Sequence, residues 1–248
     1  MDIVVKGYDG SRHAPTSEVG SKVKTEGHKK EDVYANRVGG NVIKGTHKPD
    51  VSADGHMDSV KGAKENIQLL ANSINTVNKY YDINHPLNIY QHSAYKHRKF
   101  KEANNNNINL DLFDDFLNNA KEVAEYLRNK DNFRKIIKKV FSDGYEADRL
   151  VILKEITEDA YRYDMREVVD LYVNSNYKVH VTDGAKIVVS VKVGSKVLKN
   201  GKTKDKNRQI FYIETRGGKN LGQLNHGVRA PQFYSFLQEN LNYEVIPK

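Results

Sequence analysis

Residues 44–64 read KGTHKPDVSADGHMDSVKGAK. Asp54-Gly55 is a strong two-residue hairpin signal, so His56 to Lys61 becomes a return strand. Side chains alternate along a strand. Met57, Ser59 and Lys61 therefore share one face, and His56, Asp58 and Val60 share the other. Asp50 stands at a strand end, eleven positions before Lys61. An aspartate and a lysine placed in this way can approach one phosphate from two sides; equally, they can be the ordinary charges of a surface turn. Gly45, Gly55 and Gly62 allow the backbone to come close around them.

Working outward, residues 27–38 read as a helix ended by Gly39-Gly40. Val33, Tyr34 and Val38 turn inward on it, and Lys29, Lys30, Asp32 and Arg37 face water. Residues 41–44 start a strand that runs on to Val51. After Gly62, Ile67, Leu70, Ile74 and Val77 fall at helical spacing, which predicts a helix over 63–80. Two more helices follow, at 109–128 and 131–141. Strands are expected at 149–153, 177–181, 187–193 and 209–215. Residues 164–173 fit either helix or strand. The segment 194–208 reads as a basic loop, 216–229 as a glycine-rich loop, and 231–241 as a closing helix with proline in its first turn. The plan is α+β, a single compact unit over 1–248. Within it lie an αββα core at 20–100, a helical segment at 108–142 and a β-rich part at 148–248.

The 248 residues carry a net charge of +8, from 40 Lys and Arg against 32 Asp and Glu. The isoelectric point is near 9.3. That balance favours an anionic partner, nucleic acid being the commonest for a basic protein. The chain has no cysteine, which excludes disulfides, thiolate zinc sites and a cysteine nucleophile. No apolar run approaches the roughly 18 residues that a membrane span needs, and the first residues lack the pattern of a secretory signal. No GxxxxGK[ST], GxGxxG or GxSxG is present, so no nucleotide cofactor is expected.

Phosphodiester hydrolysis needs a divalent metal, an activated water and neutralisation of charge on the phosphate. Carboxylate and carbonyl oxygens suit Mg²⁺, which keeps several waters and takes one or two protein carboxylates. A lysine beside such a site orients the water and offsets charge. The order helix with Glu31, Gly39-Gly40, Lys48-Pro49-Asp50, turn, Ser59-Val60-Lys61 resembles the core of the PD-(D/E)XK nucleases. The run from Gly27 to Lys64 is similar to the N-terminal part of some type II restriction endonucleases. The resemblance implies a restriction-endonuclease-like core with a central mixed β-sheet flanked by helices. It implies a cytoplasmic enzyme of prokaryotic or viral origin that uses Mg²⁺, replaceable by Mn²⁺, to cut double-stranded DNA as a homodimer. Asp50 and the Val60 carbonyl would be metal ligands, Lys61 would serve the water, and Glu31 would assist as the helix carboxylate. The acidic position two before lysine is Ser59. Its missing carboxylate falls to Glu31 or Asp58, or Ser59 acts through water, or the site binds metal weakly.

The β-rich part carries the expected DNA contacts. Lys192, Lys196, Lys199, Lys202, Lys204, Lys206 and Arg208 fall within seventeen residues and suit phosphates. Arg216, Asn220, Gln223, Asn225, His226 and Arg229 lie among glycines and have the chemistry of base readout. His92 and His97 are five apart, outside the helical metal-pair spacing. A junction-resolving or repair nuclease, and a DNA- or RNA-binding protein with a degenerate core, stay open beside the restriction enzyme.

Overall fold

The computed structural model describes residues 17–44, 49–75, 81–143, 146–197, 203–217 and 221–248. Helix α1 (Ser17–Val38) leads through β1 (Asn41–Val42) into the hairpin of β2 (Val51–Ala53) and β3 (His56–Lys61). Asp54 and Gly55 hold φ of 54° and 76°, the two positive values that a type I′ turn requires. The register Val51↔Asp58, Ser52↔Met57, Ala53↔His56 follows from that turn. The strand expected over 41–51 is shorter: β1 ends at Val42, and residues 45–48 lie outside the described residues.

Next come β4 (Asn66–Asn72), α2 (Pro86–Ala103), α3 (Leu110–Arg128) and α4 (Lys130–Ser142). The chain continues with β5 (Arg149–Ile152), β6 (Ala160–Asp164), α5 (Met165–Asn174), β7 (Tyr177–Val181) and β8 (Ile187–Val197). It closes with β9 (Thr203–Thr215), β10 (Leu224–Arg229), α6 (Ala230–Asn240) and β11 (Glu244–Ile246). The fold is α+β. Asparagines start two of its helices. Asn109 accepts from Leu112 N–H at 3.0 Å, and Asn129 accepts from Asp131 N–H at 3.0 Å and Asn132 N–H at 3.1 Å. Each satisfies amide hydrogens that a helix start leaves without partners.

Two sheets carry the strands. The first is mixed and six-stranded, in the order β1-β2-β3-β5-β6-β11; the second is five-stranded, in the order β4-β10-β9-β8-β7. Every pairing in the second is antiparallel. In the first, β3 and β5 run parallel, with Ser59↔Leu150 and Lys61↔Ile152 in register. The sheet boundary does not follow the chain. Strands β5, β6 and β11 come from beyond residue 148 yet complete the sheet of the hairpin, and β4 leaves the hairpin to edge the other sheet.

Three expectations are corrected. Residues 66–72 are strand β4, not helix: Ile67 and Leu69 are buried and Asn66 and Gln68 exposed, a period of two. A short apolar segment fits either period, and the open edge of β10 takes it as a strand. The basic segment 194–208 is largely a two-stranded ribbon, with Gly194↔Lys206 and Val197↔Thr203 paired. Ladder hydrogen bonds hold such a ribbon without an apolar face, so no hydrophobic alternation announced it. Within 216–229, Leu224 to Arg229 form a strand between β4 and β9.

A buried charge network lies under the first sheet. Asp58 is 0% exposed. Tyr34 Oη donates to its Oδ2 at 2.7 Å, and Arg149 Nη2 donates to the same oxygen at 2.9 Å while its Nε reaches Oδ1. Arg162 Nε donates to Tyr34 Oη at 3.0 Å. Burial first, and the bond to Asp58 second, push the Tyr34 phenol well above its ordinary value, which keeps it a donor. Tyr34 also packs with Val51, Val60 and Val151, so α1 covers this face of the sheet. Leu150 and Ile152 face the larger core on the other side.

Removing one member of a buried pair strands the other. Asp58→Ala is expected to cost about 3–5 kcal/mol of folding stability by urea unfolding; an unchanged midpoint would show that the network does not hold the sheet.

Candidate active site

Asp50 is placed by backbone bonds on both sides. Its N–H donates to the Asp58 carbonyl at 2.8 Å, and its carbonyl accepts from Ile43 N–H at 2.9 Å. Its carboxylate turns onto β3. Oδ2 accepts from Val60 N–H at 2.7 Å, from Lys61 Nζ at 2.8 Å and from Ser59 Oγ at 3.3 Å. Lys61 Nζ also donates to the Val60 carbonyl at 3.0 Å. The structure thus brings Asp50, Ser59, Val60 and Lys61 together. The Asp50 and Lys61 side chains are 18% and 17% exposed, half-sunk at the C-terminal end of β3.

Neither candidate for the missing carboxylate joins them. Asp58 points to the opposite face of β3 and is consumed by Tyr34 and Arg149. Glu31 lies on α1, which covers the Asp58 and Val60 face, and its Oε2 pairs with His28 Nδ1 at 3.0 Å. Among the described residues, no group of three or more His, Asp or Glu side chains could hold a metal ion. The oxygens at hand are one carboxylate, the Val60 carbonyl and the Ser59 hydroxyl. All are hard donors, and one carboxylate lies within the range for a mostly hydrated Mg²⁺.

Lys30 is a residue that the sequence reading assigned to water. It donates instead to the Gly62 carbonyl at 3.1 Å and to the Lys154 carbonyl, clamping the chain just past β3 and β5. Burial lowers its pKa. The signal was its spacing: Lys30 and Tyr34 stand four apart and share a helix face. Arg37, also assigned to water, binds the Glu158 carbonyl at 2.8 Å. On the other side, Tyr234 Oη accepts from Ala63 N–H at 2.9 Å and donates to the Ala63 carbonyl at 2.8 Å. Gly62 is required by closeness: a Cβ there would stand 1.8 Å from the Leu153 carbonyl oxygen. The segment after Lys61 is therefore held rigidly from three directions.

The expected DNA contacts divide. Asn225 and His226 are 0% exposed, inside β10; His226 packs on Phe211 and meets Tyr81 Oη at 3.3 Å. Their role in base readout is overturned by burial. Arg208 is tied to Glu239 by bonds of 2.7 and 2.9 Å, and Lys192 to Asp205 at 2.7 Å. Arg229 is exposed, and Arg216 and Gln223 are half-buried. Lys196 lies in β8 opposite Lys204. Lys199, Lys202 and Asn220 fall outside the described residues.

Two histidines, His85 and His97, serve the structure. His85 caps α2, accepting from Leu87 N–H at 3.2 Å. His97 packs on Phe113 and Phe116. Burial lowers the pKa of both. A cleft of about 690 Å³ opens around Arg149, Arg162 and Tyr163. It lies at the far end of β3 from Lys61, roughly 17 Å away at strand rise, and contains none of the site residues above. No helix among the described residues is long and apolar enough to cross a membrane.

No protein-family model matches the chain, and no curated protein matches it in sequence.

Burial separates the two kinds of β10 residue experimentally. His226→Ala is expected to lower stability by ~2–4 kcal/mol, as large-to-small core changes do. Arg229→Ala should stay within about 0.5 kcal/mol. Thermal or urea unfolding of both checks this.

Proposed function

We propose that this protein is a Mg²⁺-dependent endonuclease that cleaves double-stranded DNA at specific sequences, in the manner of type II restriction enzymes. One observation carries the reading. An aspartate and a lysine eleven residues apart meet at 2.8 Å across a hairpin, and the carbonyl between them lies 3.0 Å from the same ammonium. That arrangement has the chemistry the reaction demands: hard oxygens for a cation, and a fixed positive charge beside them. The strand that bears the lysine runs parallel to the next strand of a mixed sheet with a helix against one face, which agrees with the core that the motif implies.

Asp50 and the Val60 carbonyl would hold the ion, with the Ser59 hydroxyl next to it. Such an ion supplies a polarised phosphate oxygen and a more acidic water. Lys61 Nζ orients the attacking water and offsets charge growing on the phosphate. Before the ion enters, Asp50 accepts from Lys61 and holds its ammonium beside these oxygens. Lys30 and Tyr234 keep the chain beyond Lys61 from moving as the duplex presses on it. The β8–β9 ribbon and Arg229 supply phosphate and groove contacts, a two-stranded ribbon being narrow enough for a major groove. Cutting both strands is simplest for a two-fold dimer on a palindrome. Ser59 favours a second reading, a DNA-binding protein whose nuclease core has lost its chemistry along with the second carboxylate.

Incubation with a large unmethylated phage genome separates the two. The nuclease yields discrete fragments with Mg²⁺ that vanish with chelator, and Lys61→Ala cuts at least about 100-fold more slowly, the loss expected for one charge-stabilising donor. Tight, salt-sensitive binding without cleavage by either Mg²⁺ or Mn²⁺ would establish the binder instead.

A further inference from the structure

The Lys61 ammonium touches the same two oxygens that the metal reading assigns to the cation. It lies 2.8 Å from Asp50 Oδ2 and 3.0 Å from the Val60 carbonyl oxygen. The carboxylate oxygen is already served by three donors, with Val60 N–H at 2.7 Å and Ser59 Oγ at 3.3 Å beside the lysine. We infer that Lys61 is the internal counter-ion of this site, and that its ammonium and a divalent cation compete for Asp50 and the Val60 carbonyl. The inference rests on the metal-dependent reading above and adds to it how the site is held before the ion arrives.

Charge balance is the physical reason. Asp50 and Lys61 are each more than four-fifths buried, and a charge withdrawn from water to that extent needs an opposite charge in contact. Two carboxylates in such a site would keep a net negative charge with the lysine bound, and would still draw in a cation. With Ser59 in the acidic position, the pair Asp50–Lys61 sums to zero. Asp58 adds nothing, since Arg149 and Tyr34 on the opposite face neutralise it. Glu31 is engaged by His28. A divalent ion bound to oxygen at about 2.0–2.1 Å would stand within a few ångströms of an ammonium on those same oxygens, and like charges at that separation repel. The lysine must therefore leave as the ion enters. Its flexible four-carbon stem permits this, while Gly62 and Ala63 behind it stay clamped by Lys30 and Tyr234. The displaced ammonium is then free to meet the water or the phosphate. Lys61 acts in turn as placeholder and as water-side cation, and a serine rather than a carboxylate at position 59 makes the first role necessary.

Mn²⁺ binding to the protein, read from the electron paramagnetic resonance of the free ion, tests this without any cleavage assay. Lys61→Met is expected to bind Mn²⁺ at least about fivefold more tightly than the unaltered protein, the lower end of ordinary site-to-site coupling. Asp50→Asn should lose binding. Lys61→Gln serves as the second variant, with circular dichroism confirming the fold of each. In the unaltered protein, the ¹⁵N-labelled lysine ammonium signal lost in Lys61→Gln should disappear or shift as Mg²⁺ is added. Equal or weaker Mn²⁺ binding by both Lys61 variants, or an ammonium signal unchanged at saturating Mg²⁺, overturns the competition and leaves the metal reading standing. Absence of Mn²⁺ binding in every form, the lysine variants included, overturns the metal reading and the competition together.

Discussion

A carboxylate shut off from water governs the arrangement of this molecule. Asp58 cannot be solvated where it lies, so its charge is met by Arg149 from β5 and by the Tyr34 hydroxyl from α1. Arg162 from β6 closes the network on Tyr34. One strand residue thereby ties a helix and two further strands into a single register. Slipping β3 by one position would carry Asp58 to the opposite face and strand its partners inside the core. Because that slip is prohibited, Ser59 and Lys61 are held on the other face, where Asp50 meets them. The chemistry on one side of β3 depends on the salt bridge on its reverse.

The same constraint separates two roles that the local sequence makes look alike. Asp50 and Asp58 both belong to the hairpin, and both are carboxylates near Ser59. Asp50 precedes its strand and reaches round to the β3 backbone, where it remains partly open. Asp58 is within the strand and is committed to structure. Charge alone does not distinguish them. The face on which each side chain lies does.

The second sheet lends the hairpin its surroundings. Strand β4 begins a few residues beyond Lys61 and pairs with β10, and the Ala230 N–H at the end of β10 binds the Glu65 carbonyl at 2.8 Å. Arg229 stands opposite Asn66 in that pairing. Residues separated by more than 160 positions thus become neighbours of the site, and the long β8–β9 ribbon extends from the same sheet. The basic residues of the C-terminal part join the hairpin through β4 rather than forming a separate module.

Read alone, the sequence already determined the hairpin and its alternation, and put Asp50 and Lys61 on paired strands. These rest on interactions across a dozen residues: the positive φ of Asp54 and Gly55 sets the turn, and the turn sets the register. The helices at 110–128 and 130–142 were legible for the same reason, each carrying its apolar stripe within one local segment. Strand β4 was not legible, because seven residues with two buried apolar positions satisfy either period until a neighbouring edge selects one. The burial of Asn225 and His226 was also hidden: polar side chains look solvent-facing until Tyr81 and the neighbouring strands of the sheet enclose them. Lys30 and Asp58 acquire their partners only when α1 lies across the sheet. Contacts between elements distant in sequence depend on packing of the whole chain, and only the tertiary structure decided them.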